Sequence, residues 1–349
     1  MIISALTLTS CQKEKVYHKH SDAFFDSFDT VTQVVAYTET EKEFREYMDF
    51  MHDRFLELHK YYDKYNSYEG INNIKTINDN AGIEPVKVDD EILELLLFSK
   101  EWYEKAGSET NIALGPVVEI WHDHKEEAEL DPSNAKMPDM EKLKQASKYT
   151  DMNKVIIDEE NKTVFLEEKG MSLDVGAVAK GYATEIVAQE VEEKGLTSCL
   201  ISAGGNIRGI GKPLDGQREK WGVGIQNPDT NLFGDDKLIE TVYINDMSVV
   251  SSGDYQRYYY VGDKRMHHII DPNTLLPGEN YRAVTVVTKH SGLADFLSTS
   301  LFLLPFEESL ELVESIDGLD ALWVFSDGTI KTSEGMKEIM YSEGARGGK

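Results

Sequence analysis

Cysteine is nearly absent: the 349-residue chain has two, Cys11 and Cys199. So few thiols supply no disulfide framework, and the fold has to rest on an apolar core. Positive charge is scarce too. Lys and Arg number 36 against 63 Asp and Glu, so the net charge is 36 − 63 = −27. That balance argues against nucleic acid and against an anionic membrane surface as direct partners. It also sets a condition on any phosphate-ester substrate, which the protein's overall field repels. Local cations, from Lys, Arg or a metal, must offset that repulsion. Several familiar signatures are missing: no Cys/His cluster has zinc spacing, and GxSxG, HExxH and GxGxxG do not occur. Away from the N-terminus, no apolar run reaches the ~20 residues that a bilayer-spanning helix needs. There is no internal repeat and no low-complexity segment.

What remains is an ordinary globular composition, 40% hydrophobic and 28% charged. The length suits one large α/β domain or two intimately joined lobes. Cys199, in the apolar run SCLIS, has the setting of a buried thiol. Cys11 differs. It follows ISALTLTS, a short apolar run that resembles a bacterial lipoprotein signal but lacks a basic leader. In such signals the cysteine is lipidated and becomes the mature N-terminus, which would anchor the chain on the extracytoplasmic face of the membrane. Residues 1–22 then divide into a signal remnant and a polar tether. Residues 23–340 form the folded domain, and 341–349 read as a flexible tail.

Along the chain, Phe44, Tyr47, Met48, Met51, Phe55, Leu58, Tyr62 and Tyr65 recur at helical steps behind a Thr40/Glu43 capping box. A second helix is expected over 90–105, stopping at Gly107. The span 122–150 is polar and reads as a surface excursion with a weak helix at 140–149. KVIIDEENKTVFLEE reads as a hairpin, followed by a loop that enters a helix near Gly176 and runs to Gly195. Strands are expected at 196–202, 221–226, 239–244, 247–251, 255–261, 265–270 and 283–288. Helices follow at 291–304 and 306–315, and ALWVFSDGTIK closes as a hairpin. Strands come in runs rather than in βαβ alternation, which favours an α+β fold.

Five segments carry candidate chemistry. LDVGAVAKGYA (173–183) places Lys180 between two glycines at a helix start, a setting that favours an anion. The bland alternative is a solvated lysine. SAGGNIRGIG (202–211) and SSGDYQRYYY (251–260) are small-residue turns that let backbone approach a ligand closely or merely turn the chain. In SGLADFLSTS, Asp295 and Thr299 stand four apart on one helical face. Their oxygens are hard ligands suited to Mg²⁺ or Ca²⁺. In RMHHIIDPN (265–273), two adjacent histidines run into an Asp-Pro-Asn-Thr turn. Strand alternation lets at most one of His267 and His268 face a given pocket.

Taken in order, LDVGAVAKGYA, AGGNI, SSGDYQRYYYVGDKRMHHIIDP and ADFLSTS resemble the ApbE-type FAD:protein FMN transferases. NSYEGINNIKTIN (66–78) and NIALGPVVEIW (111–121) extend the resemblance over nearly the whole chain after Cys11. It implies a T-fold-like α+β domain, with mixed and antiparallel sheets and packed helices, that binds FAD and Mg²⁺. Such an enzyme cleaves FAD, attaches FMN to a Ser or Thr of an acceptor flavoprotein, and releases AMP. Carried over position by position, Asp174 and Lys180 contact FAD, Tyr68 packs on the flavin nucleotide, and Ile269 sits beside it. The Ala177 carbonyl, Asp295 and Thr299 hold Mg²⁺. His268 matches the catalytic base, with Asp271 shaping the adjacent turn and helping to orient the site. The acceptors implied are subunits of Rnf- or Na⁺-translocating NADH dehydrogenase-type complexes, or extracellular flavin reductases.

This chain departs from the family pattern in three places. Met-Gly-Thr becomes Phe28-Asp29-Thr30, so a flavin-side methionine contact becomes Phe28. Asn111 stands for an aspartate, with Ala113 for a threonine, and DPNTLLP lacks the glycine of the corresponding turn. Two other readings of the same residues stay open: an FAD pyrophosphatase with water as nucleophile, and a non-catalytic FAD-binding lipoprotein.

Overall fold

The computed structural model describes residues 15–229 and 237–348; Cys11 lies outside the described residues. β1 (His18–Ser27) and β2 (Thr30–Thr38) form an opening hairpin. Phe28 and Asp29 at its tip both have positive φ, 54° and 50°, as a type I′ turn requires. α1 (Glu41–Tyr62) begins as its sequence demands, with the Thr40 hydroxyl accepting from the Glu43 N–H at 3.2 Å. The Glu43 carboxylate accepts from the Glu39 N–H. Phe44, Met48, Met51, Phe55, Leu58 and Tyr62 are buried, whereas Tyr65, beyond the helix end, is exposed.

Next come α2 (Ile74–Asp79), β3 (Val86–Lys87), α3 (Asp90–Lys105), α4 (Gly115–Leu130), α5 (Met140–Ala146), β4 (Val155–Asp158) and β5 (Thr163–Leu166). α4 corrects the expected surface excursion. The helix runs from Gly115 through the first nine residues of that span, and buried Ala128 continues the apolar stripe of Val117 and Trp121 into it. α6 (Ala179–Glu193) starts three residues later than expected, leaving 176–178 as loop.

The remaining elements are β6 (Cys199–Ala203), β7 (Asn206–Ile210), β8 (Trp221–Gln226), β9 (Leu238–Ile244), β10 (Ser248–Gly253), β11 (Tyr258–Val261), β12 (Lys264–His267), β13 (Ala283–Thr288), α7 (Ser291–Leu303), α8 (Phe306–Glu314), β14 (Asp320–Val324), β15 (Ile330–Thr332) and α9 (Glu334–Ile339). The expected strand 265–270 therefore stops at His267, and beyond it only Ile270 forms a bridge, to Pro277. The expected four-residue turn is a wider loop. Asp271 N–H donates to the Leu276 carbonyl, and Leu275 takes φ 63°, a left-handed conformation that a glycine would adopt more easily.

An eight-stranded antiparallel sheet, ordered β1-β2-β6-β7-β10-β13-β14-β15, is the frame, so the fold is α+β as expected. Its central strands are buried on both faces. Val284 and Val286 of β13 point to the face covered by α1, α6 and α7, while Ala283 and Val287 point to the ribbon β8-β9 and α9. A smaller cluster joins α4 to the β11-β12 hairpin and the 270s loop through Trp121, Tyr259, Met266, Ile270 and Leu275. The last residues differ from the expected free tail. Gly347 O accepts from the Glu219 and Lys220 N–H groups, and Gly348 bridges Arg218. The N-terminal tether likewise ends early, since its residues from His18 onward belong to β1.

α6 and α7 pack side by side at Gly181. A Cβ there would lie 2.4 Å from Asp295 Cβ and 2.4 Å from Ser291 O. Glu185 fixes the same seam by accepting from the Ser291 N–H (2.7 Å) and from Arg208 Nε of β7 (3.2 Å), with Glu185 and Arg208 both buried. Gly181→Ala should therefore cost roughly 1–3 kcal/mol by overpacking, although alanine is the better helix former. A thermal melt compared with wild type checks this; an unchanged or raised midpoint would show that the seam can part freely.

Candidate active site

The α6-α7 seam delivers charged groups to one place. Asp295 is 5% exposed, and its Oδ2 accepts the Gly181 N–H at 2.8 Å. Burial pushes its carboxyl pKa up, while Lys180 and the Gly181 N–H oppose the rise. The Lys180 ammonium stands 3.8 Å from Asp295 Oδ2 and 3.3 Å from the Gly176 carbonyl. Gly181 N–H would ordinarily bond the carbonyl four residues earlier, that of Ala177. Because it is taken by Asp295, the Ala177 carbonyl receives no hydrogen bond among the described residues. One turn along α7, the Thr299 hydroxyl lies 3.4 Å from Ser252 Oγ, which is itself bonded to Ser298 Oγ at 2.7 Å. Asn206 Nδ2 is buried, makes no hydrogen bond of normal geometry among the described residues, and faces Asp295, whose carboxyl pKa it helps to lower.

These donors fit a small hard cation. A buried carboxylate, a hydroxyl and an uncommitted carbonyl form an all-oxygen set of the kind Mg²⁺ takes, completed by waters and substrate phosphates. Lys180 already stands as a cation between the carboxylate and the loop carbonyl. Among the described residues no group of three His, Cys, Asp or Glu side chains could hold a metal. A site that draws on Ala177 and Thr299 would not be of that kind.

A second ion pair flanks the first. Lys64 Nζ donates to Asp174 Oδ2 at 2.7 Å, and the Gly176 N–H donates to Asp174 Oδ1 at 2.9 Å. Burial pushes the Asp174 carboxyl up, but Lys64 and the loop N–H outweigh it and hold it below the usual carboxylate value. The loop is anchored by Asn78, which exchanges two hydrogen bonds with the Leu173 backbone, and by Asp174 N–H donating to Ile112 O at 2.7 Å. The Lys64 ammonium also lies over the exposed Tyr65 ring, 4.9 Å from its centroid.

The paired histidines separate, His267 buried as the last residue of β12 and His268 exposed just beyond the strand. His267 is buried edge-on against Phe302, with Nδ1 accepting from the Ile269 N–H (3.3 Å) and Nε2 facing the Gly278 carbonyl at 2.7 Å. A carbonyl can only accept, so His267 carries its proton on Nε2. His268 has the opposite tautomer. Its Nδ1 faces the Arg257 carbonyl at 3.2 Å, which also accepts the His268 N–H at 3.1 Å. Nδ1 is therefore the protonated nitrogen, and Nε2 keeps a free lone pair. The ring has an open edge to solvent, yet its crowded setting pushes its pKa well below the usual imidazole value. Desolvation is the main cause, and His267, Arg257 and Lys180 add to it. His268 is therefore neutral at neutral pH.

The other expected residues take varied places. Tyr68 donates to Asp63 Oδ2 at 2.7 Å, and Phe28 packs among Phe55, His59 and Tyr62. Both therefore border the Lys64 segment. Asn111 is committed internally, accepting from the Ala113 N–H and donating to Thr150 O. It shapes the short 3₁₀ turn 112–114 that supports Asp174. The Ile269 side chain is core, and its carbonyl accepts from the Gly278 N–H. Asp271 caps its own loop through the Asn273 N–H and the Thr274 hydroxyl. Sequence reasoning missed Lys64, Tyr65, Ser252, Asn206 and Arg257. Lys64 carried no signal, because its partner Asp174 is distant in sequence.

The model of the ApbE family matches residues 28–323. An FAD:protein FMN transferase of Treponema pallidum is 34% identical over 275 residues, spanning 75% of this chain and 73% of its own. One from Klebsiella pneumoniae is 33% identical over 257 residues, spanning 72% and 74%. The crystal structure of the ApbE protein of Thermotoga maritima superposes with a TM-score of 0.79 at 26% identity, covering 93% of this chain and 99% of that one.

The two histidines should respond oppositely to truncation. His267→Ala removes a buried ring and two hydrogen bonds and should cost on the order of 2–4 kcal/mol. His268→Ala loses one hydrogen bond at an open edge and should cost about 1 kcal/mol. Urea denaturation of both variants measures this, and a larger loss for His268→Ala would reverse the assignment of structural and chemical roles.

Proposed function

This chain belongs to the ApbE family, and on that premise we propose that it is a Mg²⁺-dependent FAD:protein FMN transferase. The observation that carries the reading is the uncommitted Nε2 of His268, on a ring close enough to feel the charge of Lys180, the partner of Asp295. The acceptor Ser or Thr oxygen attacks the phosphorus of the FMN half of FAD. A new P–O bond forms, the bond to the bridging pyrophosphate oxygen breaks, and AMP leaves with that bond's electrons. The hydroxyl proton passes to His268 Nε2. The Arg257 carbonyl, bonded to Nδ1, fixes the tautomer and stabilises the positive ring that results. Lys180 supplies positive charge near the phosphates, and Lys64 cancels the charge of Asp174 beside them, which together answer the repulsion of a −27 chain. Asp295, Thr299 and the Ala177 carbonyl would hold Mg²⁺, which when bound neutralises charge building on the pyrophosphate oxygens.

The acceptor side of the reading rests on the family. The flavin-carrying partner is a Ser/Thr-bearing subunit of an Rnf- or Na⁺-translocating NADH dehydrogenase-type complex, or an extracellular flavin reductase. The ISALTLTSC segment supports a lipid anchor on Cys11 and a place on the extracytoplasmic face of the bacterial membrane. Among the described residues no helix is long and apolar enough to cross a membrane.

The deciding assay incubates the chain with FAD and Mg²⁺, with and without an acceptor domain. Covalent FMN on the acceptor is the expected product. AMP without labelling would make the protein a pyrophosphatase, and no turnover would make it a binder. His268→Ala should lose roughly 10²–10⁴ in transfer rate. A near-normal rate would move the base elsewhere. Because the active form is the neutral ring and its pKa is lowered, kcat/KM should hold as pH falls through 6.5 and drop only below it. An acid limb at or above 6.5 contradicts this. Asp295→Asn keeps an oxygen for the Gly181 N–H but removes the charge. It should raise the Mg²⁺ requirement by more than the roughly 10- to 100-fold that loss of a supporting hydrogen bond costs. Unchanged Mg²⁺ dependence would remove Asp295 from the metal site.

A further inference from the structure

Among the described residues, one guanidinium has neither a hydrogen-bond nor an ion-pair partner. Arg45, Arg54, Arg208, Arg218, Arg265 and Arg282 each pair with a carboxylate, and Arg346 donates to the Tyr341 and Ala345 carbonyls. The Arg257 side chain makes neither kind of contact among the described residues. Six of the eight arginines pair with carboxylates and a seventh with carbonyls, so a guanidinium with neither stands apart from the rest. Its main chain is held in place: the Arg257 carbonyl takes both the N–H and the ring Nδ1 of His268. The side chain therefore emerges next to the base, at the root of the β11-β12 hairpin. Its charge is felt at His268 and also at Tyr65, beside the Lys64–Asp174 pair.

A fixed cation here is unfavourable for a base that must become positive, unless an anion comes between them. The reacting phosphorus has to lie within reach of His268, so the substrate's phosphates are the anion that geometry brings to this place. A guanidinium presents paired N–H donors that match phosphate oxygens, which an ammonium such as Lys180 cannot do. We propose that Arg257 is a further substrate-binding residue of this site, its guanidinium taking oxygens of the FAD diphosphate beside His268. The inference rests on the transferase reading, and it adds a named electrostatic contact to it.

The test uses full-length Arg257→Gln and Arg257→Lys with Mg²⁺ present. Affinities for FAD, ADP and riboflavin are measured by calorimetry, and single-turnover labelling of an acceptor domain is followed in parallel. Arg257→Gln should bind FAD and ADP roughly 10- to 100-fold more weakly, as expected for a lost charge-assisted hydrogen bond. Riboflavin, which has no phosphate, should bind as to wild type. Arg257→Lys should fall between, and thermal midpoints should be unchanged. Equal affinity of Arg257→Gln and wild type for FAD and ADP overturns the proposal. So does an equal loss for riboflavin, or an effect confined to the KM for the acceptor. A wild type that binds FAD and ADP but labels no acceptor sinks the transferase reading instead, while the difference in diphosphate affinity still decides the role of Arg257. A wild type that binds neither nucleotide overturns both.

Discussion

The site depends on how closely α6 and α7 approach at Gly181. With no side chain at that position, the Asp295 carboxylate reaches the first turn of α6 and takes the Gly181 N–H. Three consequences follow from that one contact. Asp295 is buried yet hydrogen-bonded, so a charge in a poor dielectric is tolerated. Lys180, the preceding residue, is brought alongside Asp295. The Ala177 carbonyl loses its usual donor and is left available. The buried Glu185–Arg208 pair holds the same seam one turn further on and ties it to β7. A buried ion pair is weak support for stability by itself. Here it fixes the relative position of two helices, which a purely apolar contact would specify less sharply.

The hairpin side of the candidate site works by a different device. His267 and His268 are neighbours with opposite hydrogen-bonding, and the main chain sets it. His267 is saturated by Ile269 and Gly278 and serves to close the 269–278 loop. His268 has one nitrogen occupied by the Arg257 carbonyl and the other free. Neither arrangement needs a carboxylate. A neutral carbonyl raises the pKa of the proposed base less than an aspartate would, and burial first, then the charges of Arg257 and Lys180, bring it down. Such a base is weak while the site holds no anion. Diphosphate entering beside Lys180 and Arg257 would offset those cations and strengthen it, so basicity and substrate occupancy are coupled electrostatically.

Much of this could be read in the sequence, for reasons that differ by element. The buried face of α1 has the 3.6-residue period, and the doubly buried β13 appears as the unbroken apolar run AVTVVT, so both were legible. The Asp295/Thr299 pair follows from local periodicity alone. α4 was not legible, because three buried side chains sit among charged residues that face solvent. The left-handed Leu275 was hidden for another reason. Its buried side chain and its carbonyl, which accepts from Trp121 Nε1, hold a conformation that the residue type disfavours. Lys64 and Arg257 were missed because a lysine or an arginine declares its role only through what lies across from it. For Lys64 that is a carboxylate 110 positions away.

The charge imbalance seen first in the composition is resolved locally rather than globally. The protein keeps its excess of carboxylates, but those nearest the candidate site are not free to repel an anion. Asp174 is neutralised by Lys64, and Asp295 stands beside Lys180. A hard cation added to Asp295, Thr299 and Ala177 would displace the lysine from its role as counter-ion and release its charge toward the substrate. The same carboxylate can thus serve in turn as partner for an ammonium and as ligand for a metal. The two states differ in where positive charge is available, not in how much negative charge the fold carries. A strongly acidic protein can handle a polyanionic substrate on those terms, provided the helices that bring carboxylate and lysine together do not move apart. That condition leads back to the missing side chain of Gly181.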